Sequence, residues 1–148
     1  MNVLIILGHP NNTSFNHAIA DTCRKQIESN GHTVFFHDLY AEKFNPVQHF
    51  EDINSNTNSE INLHCSHLKK CDAIIVVHPN WWGQPPAIVK GWIDRVLLPE
   101  VAYRFKQNDK GKFVPVGVLK AKVGLVIDSS NSPTTPEKEV LDTICKKT

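Results

Sequence analysis

The sequence predicts an α/β protein, a doubly wound parallel sheet between two helical layers (α/β/α), formed by a single domain over residues 1–148. Three observations carry this reading. Short apolar runs ("VLIIL", "AIIVV", "KVGLVI") alternate with longer stretches whose apolar residues return at three- and four-residue steps. The runs are apolar along their length, as strands covered on both faces are. Each then breaks off into glycine, histidine or small polar residues.

The elements follow in order. Val3 to Leu7 form the first strand, ended by Gly8, His9 and Pro10. Phe15, Ala18, Ile19, Cys23 and Ile27 place one apolar stripe on a helix from about Ser14 to Asn30, closed by Gly31. "HTVFFHDLY" is rich in β-branched and aromatic residues and reads as the second strand. Ile61, Cys65 and Leu68 mark a second helix before the strand Ala73 to Val77. Pro86 opens the third helix as a first-turn proline, with Val89, Trp92, Ile93 and Val96 facing inward. Lys122 to Ile127 form the last strand, and a further helix is expected from about Pro136. Two connections, Ala41 to Ser59 and Pro99 to Lys120, read as long loops of the kind that carry function.

Composition narrows the functional classes. Sixteen basic and fifteen acidic residues leave a formal charge of +1, without the electrostatic footprint of a nucleic-acid or anionic-membrane binder. A small, roughly neutral ligand fits better. The first apolar run is too short for a membrane span and has no basic flank of a signal peptide, so a cytoplasmic location without membrane insertion is expected. Cys23, Cys65, Cys71 and Cys145 contain no CxxC pair and read as reduced thiols. His64, Cys65 and His67 in "HCSH" lack a second ligand pair and read as positions on a helix, so no metal is expected.

In open sheets of this class, ligands bind beyond the carboxyl ends of the strands. The first such place offers backbone N–H groups, the hydroxyls of Thr13 and Ser14, Asn16, and the positive end of a helix dipole, which suit a phosphate. "GHPNNTS" lacks the lysine and second glycine of a P-loop and the three glycines of a dinucleotide fingerprint. An ordinary connection capped by Thr13 or Ser14 has the same residues. After the third strand, "HPNWWGQPP" sets two tryptophans where flat aromatic surface suits a flat ring, although a single tryptophan there can equally plug the core. A phosphate at one end and a planar heterocycle at the other describe a flavin nucleotide.

"LGHPNNTSFN", "HDLYAEKFNP", "HPNWWGQPPAIVKGWIDRVL" and "VAYRFKQNDKGKF" together resemble the flavodoxin-like NAD(P)H:quinone oxidoreductase family, which includes ancillary oxidoreductase subunits of potassium efflux systems. The match runs along almost the entire chain. It implies a flavodoxin-like sheet with the four strands in the order 2-1-3-4 and a homodimer with sites at the interface. It implies that His9, Ser14, Phe15 and Asn16 bind the flavin phosphate, and that Pro79, Asn80, Trp81, Trp82 and Gly83 run along the isoalloxazine. Asp128, Ser129, Ser130 and Asn131 take the place of a turn that contacts the flavin pyrimidine, here without the glycines many members have. Tyr103 and Phe105 match aromatic positions that roof the pocket of the neighbouring subunit and, with Trp82, are the residues the resemblance places at the catalytic position. The tyrosine and histidine that assist charge relay in animal members have no counterpart.

The activity implied is two-step hydride transfer, from NAD(P)H to FMN or FAD and then to a quinone or similar acceptor, with peripheral association with a transporter. Members usually continue into a fifth strand and a final helix, so a C-terminally shortened chain with an exposed apolar last strand is expected. An electron-carrier flavodoxin would share the fold but usually carries a strongly acidic surface. A non-catalytic flavin-binding or regulatory subunit is the alternative function. The residues leave open FMN against FAD and NADH against NADPH.

Overall fold

The structure is a computed structural model that describes residues 1–49 and 59–131. The helix expected from Pro136, Cys145 and much of the Ala41–Ser59 connection lie outside those residues.

β1 (Asn2–Leu7) is the centre of the sheet, paired in parallel with β2 (Thr33–Asp38) on one side and β3 (Ala73–Pro79) on the other. Its run is apolar throughout because both faces are covered: Leu4, Ile5, Ile6 and Leu7 are wholly buried. Alternate residues serve the two layers. Val3, Ile5 and Leu7 pack with Ala20, Ile19, Cys23 and Ile27 of α1 (Phe15–Ser29), whereas Leu4 and Ile6 join the cluster built by α2 (Ser59–Lys70) and α3 (Ala87–Val96). Burial of each such side chain contributes about 1.5–3 kcal/mol.

The sheet order is β2-β1-β3-β6, where β6 is Val123–Ser129. Counting only the four strands expected from sequence, this is 2-1-3-4. Among the described residues β6 pairs only with β3, and Val123, Leu125 and Val126 stand exposed on it, as expected for an apolar edge.

The connection from Pro99 to Lys120 is not a loop. It contains β4 (Tyr103–Gln107) and β5 (Phe113–Gly117), an antiparallel hairpin forming its own two-stranded sheet. "YRFKQ" alternates aromatic with polar residues at period two, and the turn through Asn108 to Gly111 closes at a glycine with φ +75°. That alternation is the mark the hairpin leaves in the sequence. Pro86 stands one position earlier than expected, at the N-cap of α3 rather than in its first turn.

Gly8 has a packing reason: a Cβ there would overlap the side chain of Val89 on α3. The first strand therefore breaks into a glycine because α3 passes directly against the strand end.

Candidate functional site

The carboxyl ends of β1, β3 and β6 meet at one edge of the sheet. Ser14, extended at ψ 161°, is the N-cap of α1 and accepts from the backbone N–H of His17. Two residues on, Asn16 is 2% exposed and donates from Nδ2 to Ser129 Oγ at 2.8 Å, tying the start of α1 to the end of β6. The backbone N–H of Asn80 donates to the Ser129 carbonyl, adding the end of β3. Asn16 Oδ1 is buried with no hydrogen-bond partner. An unpaired buried acceptor is costly and is normally satisfied by water or a ligand.

The tryptophan pair sits on a tight turn. Trp81 and Gln84 exchange backbone hydrogen bonds, Trp82 and Gly83 have φ of +59° and +77°, and Asn80 Oδ1 accepts from the Gly83 N–H. Positive φ at both central residues matches a type I′ turn. Trp82 is 97% exposed, so it plugs no core. Trp81 is partly exposed; the tryptophan inside the core is Trp92.

Beside this edge, Ser14, His17 and Asp38 form a hydrogen-bonded row. Ser14 Oγ lies 2.9 Å from His17 Nδ1, and His17 Nε2 lies 3.0 Å from Asp38 Oδ2. Asp38 Oδ1 accepts from the N–H groups of Tyr40 and Ala41, fixing the carboxylate at the end of β2. His9, His17, Asp38 and Tyr40 line a cleft of about 400 Å³ there. Burial raises the Tyr40 hydroxyl above its ordinary value, keeping it protonated. His17 and Asp38 were not among the expected site residues; a histidine three positions after the capping serine and an acid ending the neighbouring strand were the available signals.

On the opposite face a histidine network lies under the connection after β2. His37 Nδ1 donates to Glu42 at 2.8 Å, and His37 Nε2 lies 2.9 Å from His67 Nδ1. His64 Nδ1 accepts from Trp92 Nε1 at 3.1 Å, which places its proton on Nε2, 3.5 Å from the other Glu42 oxygen. Ligating atoms of His37, Glu42 and His64 lie within 4.8 Å of one another, a spacing a metal ion could span. The Trp92 N–H places the single proton of neutral His64 on Nε2, which turns that nitrogen toward Glu42 as a donor. Burial, then the neighbouring His37 and His67, pushes the His64 pKa down to about 3. Burial raises the thiols of Cys65 and Cys71, which with Cys23 are unbridged.

Of the expected residues, Asn16, Asn80 and Ser129 are brought together by direct bonds, with Ser14 two residues before Asn16 at the N-cap of α1 and Pro79, Trp81, Trp82, Gly83, Asp128, Ser130 and Asn131 on the same strand ends and turns. His9 lines the neighbouring cleft, and Phe15 projects into solvent. Tyr103 and Phe105 lie apart on the hairpin, their rings edge-to-face at 5.6 Å. The first turn of α1, with free N–H groups and no acidic residue, can hold an anion, and the exposed Trp82 can flank a planar ring.

The chain is 39% identical over 127 residues to an uncharacterized NAD(P)H oxidoreductase of Haemophilus influenzae, an alignment covering 82% of this chain and 60% of that protein. It is 31% identical over 132 residues to the NAD(P)H dehydrogenase [quinone] 1 of Rattus norvegicus, covering 74% of this chain and 48% of the relative. The chain thus matches about half of the length of these relatives. Its fold superposes on an NAD(P)H:quinone oxidoreductase from Methanothermobacter marburgensis with a TM-score of 0.78 at 22% identity, covering 99% of this chain and 77% of that one. A family model described as flavodoxin-like fold matches residues 1–144. With the strand order and the strand-end edge already described, this match shows that the chain belongs to the flavodoxin-like fold family.

Proposed function

We propose that this chain is a flavin-dependent NAD(P)H:quinone oxidoreductase that passes a hydride from NAD(P)H through bound FMN or FAD to a quinone or similar acceptor. The observation that carries the reading is Asn16, which joins the start of α1 to the end of β6 and keeps a buried acceptor without a partner at that junction. A hydroxyl of a ribityl chain would satisfy Oδ1, with the phosphate on the first turn of α1 beside His9, Ser14 and Phe15. The names of the two curated relatives support the reaction.

Bound flavin supplies the two-electron chemistry. The chain's own residues bind and orient. Pro79 to Gly83 would flank the ring, with Trp82 as an exposed wall, and Asp128 to Asn131 would place backbone N–H groups at its pyrimidine edge. Tyr103 and Phe105 would complete the pocket of a second copy, which makes a homodimer part of the proposal. A single domain over residues 1–148 and a cytoplasmic location belong to the same reading. Peripheral contact with a transporter rests on the family resemblance alone.

Purified chain should be yellow, or turn yellow with FMN or FAD, and should oxidise NAD(P)H in the presence of a quinone. Absorbance, followed by denaturation and identification of the released flavin, makes the test. A colourless protein whose tryptophan fluorescence neither flavin quenches would overturn the assignment.

A further inference from the structure

We propose that His17 couples phosphate binding at the start of α1 to the uptake of one proton. The inference rests on the reading of that helix start as the seat of a flavin phosphate, and it concerns His17 and Asp38 behind Ser14, to which that reading gives no role.

Hydrogen counting gives the mechanism. A serine hydroxyl has one hydrogen to donate, and a neutral imidazole has one donor and one acceptor nitrogen. Asp38 Oδ2, a carboxylate oxygen 3.0 Å from His17 Nε2, takes the single proton of neutral His17. His17 Nδ1 then accepts, and the hydroxyl that supplies it at 2.9 Å is Ser14. In that state Ser14 has spent its hydrogen inward and can offer an anion only lone pairs. A second proton, on Nδ1, reverses the bond: His17 donates to Ser14 Oγ, and the Ser14 hydrogen becomes free to turn toward a phosphate oxygen.

Charge points the same way. The groups facing His17 are Asp38 at the end of β2, His9 from the preceding loop with its ring edge-on at 6.3 Å, Tyr40, and Asp21 one turn along α1, which pairs with Arg24. Among the described residues no lysine or arginine lines the cleft. With His17 neutral, the Asp38 carboxylate stands uncompensated next to the anion seat. With His17 protonated, imidazolium and carboxylate cancel, and the helix terminus and Ser14 hydroxyl can act on the phosphate unopposed. His17 and Asp38 are only 15% and 18% exposed, so solvent screens this exchange incompletely. The proton comes from solvent and stays on His17 Nδ1 while the phosphate is bound.

By linkage, one proton taken up with the phosphate makes flavin affinity fall by up to about tenfold per pH unit as pH rises through the range in which that proton is exchanged. Dissociation constants for FAD and for FMN, read by fluorescence from about pH 5.5 to 8.5 around the ordinary imidazole value, should show this slope in the wild type. His17→Gln should lose this part of the slope and keep only what His9 and the ligand's own phosphate contribute. The comparison removes the titration of the FMN phosphate itself, which falls near pH 6. Asp38→Asn should move the fall to lower pH. In the wild type, the His17 ring proton resonance should titrate at higher pH with FAD bound than without, a reading that does not need the variants to fold. Flavin affinity with the same pH dependence in wild type and His17→Gln, or a His17 midpoint unmoved by FAD, would overturn the coupling alone. Failure of the wild type to bind either flavin at any pH would overturn the flavin reading and the coupling with it.

Discussion

Trp82 holds its indole in solvent on a backbone at φ +59°, a conformation that bulky L-residues rarely adopt. The turn is held by the paired backbone bonds of Trp81 and Gln84 and by Asn80, none of which needs the indole. Trp82→Ala should therefore change the unfolding free energy by no more than about 0.5 kcal/mol, as for surface positions generally. Large core truncations cost about 3–5 kcal/mol instead. Flavin affinity and the quenching of tryptophan fluorescence should fall together in the variant. Urea midpoints and a flavin titration on the same preparation check both. A loss of several kcal/mol without a change in affinity would return Trp82 to a structural role.

At the scale of elements, the histidine network fastens the connection after β2 to α2 and α3. Phe35 stacks on His67, Phe44 meets the edge of His64, and Glu42 accepts from His37 while its other oxygen lies 3.5 Å from His64 Nε2. A Cβ on Gly91 would collide with Pro46, so α3 also requires glycine where this connection crosses it. The His64 pKa, held down to about 3 in the fold against 6.5 unfolded, fixes the sign of a pH effect. Below pH 6.5 the unfolded chain binds a proton that the native chain refuses, so stability from this group is present above 6.5 and is lost as pH falls toward 3. The loss from His64 should be about 2 kcal/mol between pH 7 and pH 5. His64→Gln, which can still accept from Trp92, should flatten the acid dependence by about that amount. It should not abolish it, because burial and His37 lower His67 as well. Denaturant unfolding at the two pH values makes the measurement.

At the scale of the whole molecule, the hairpin is largely exposed on both strands. In its register Phe105 faces Pro115 and Phe113 faces Gln107, so Tyr103, Phe105, Phe113 and Pro115 share one face. Phe105 and Phe113 are 57% and 70% exposed, which leaves an apolar face suited to a second copy. Sedimentation at tens of micromolar should give a dimer, and Phe105→Ser with Phe113→Ser should shift it to monomer without unfolding the sheet. A wild-type monomer under those conditions would remove the homodimer from the proposed function.

The sequence by itself determined the layers. Continuous apolar runs separated by amphipathic stretches place β1, β2, β3 and β6 with α1, α2 and α3, because burial on one face or two writes a period directly into the chain. A cap at Thr13 or Ser14 and Gly31 as a stop are equally local, as are the tryptophans after β3, with the structure choosing Ser14. The hairpin escaped because its alternation is aromatic against charged and its faces stay largely exposed, so it lacks the apolar run that marks a core strand. What only the tertiary structure decided are partners distant along the chain: Asn16 with Ser129, His17 with Asp38, His64 with Trp92. Hydrogen bonds between side chains on different elements leave no periodicity in sequence. They exist only once the parallel crossovers have packed these elements against one another.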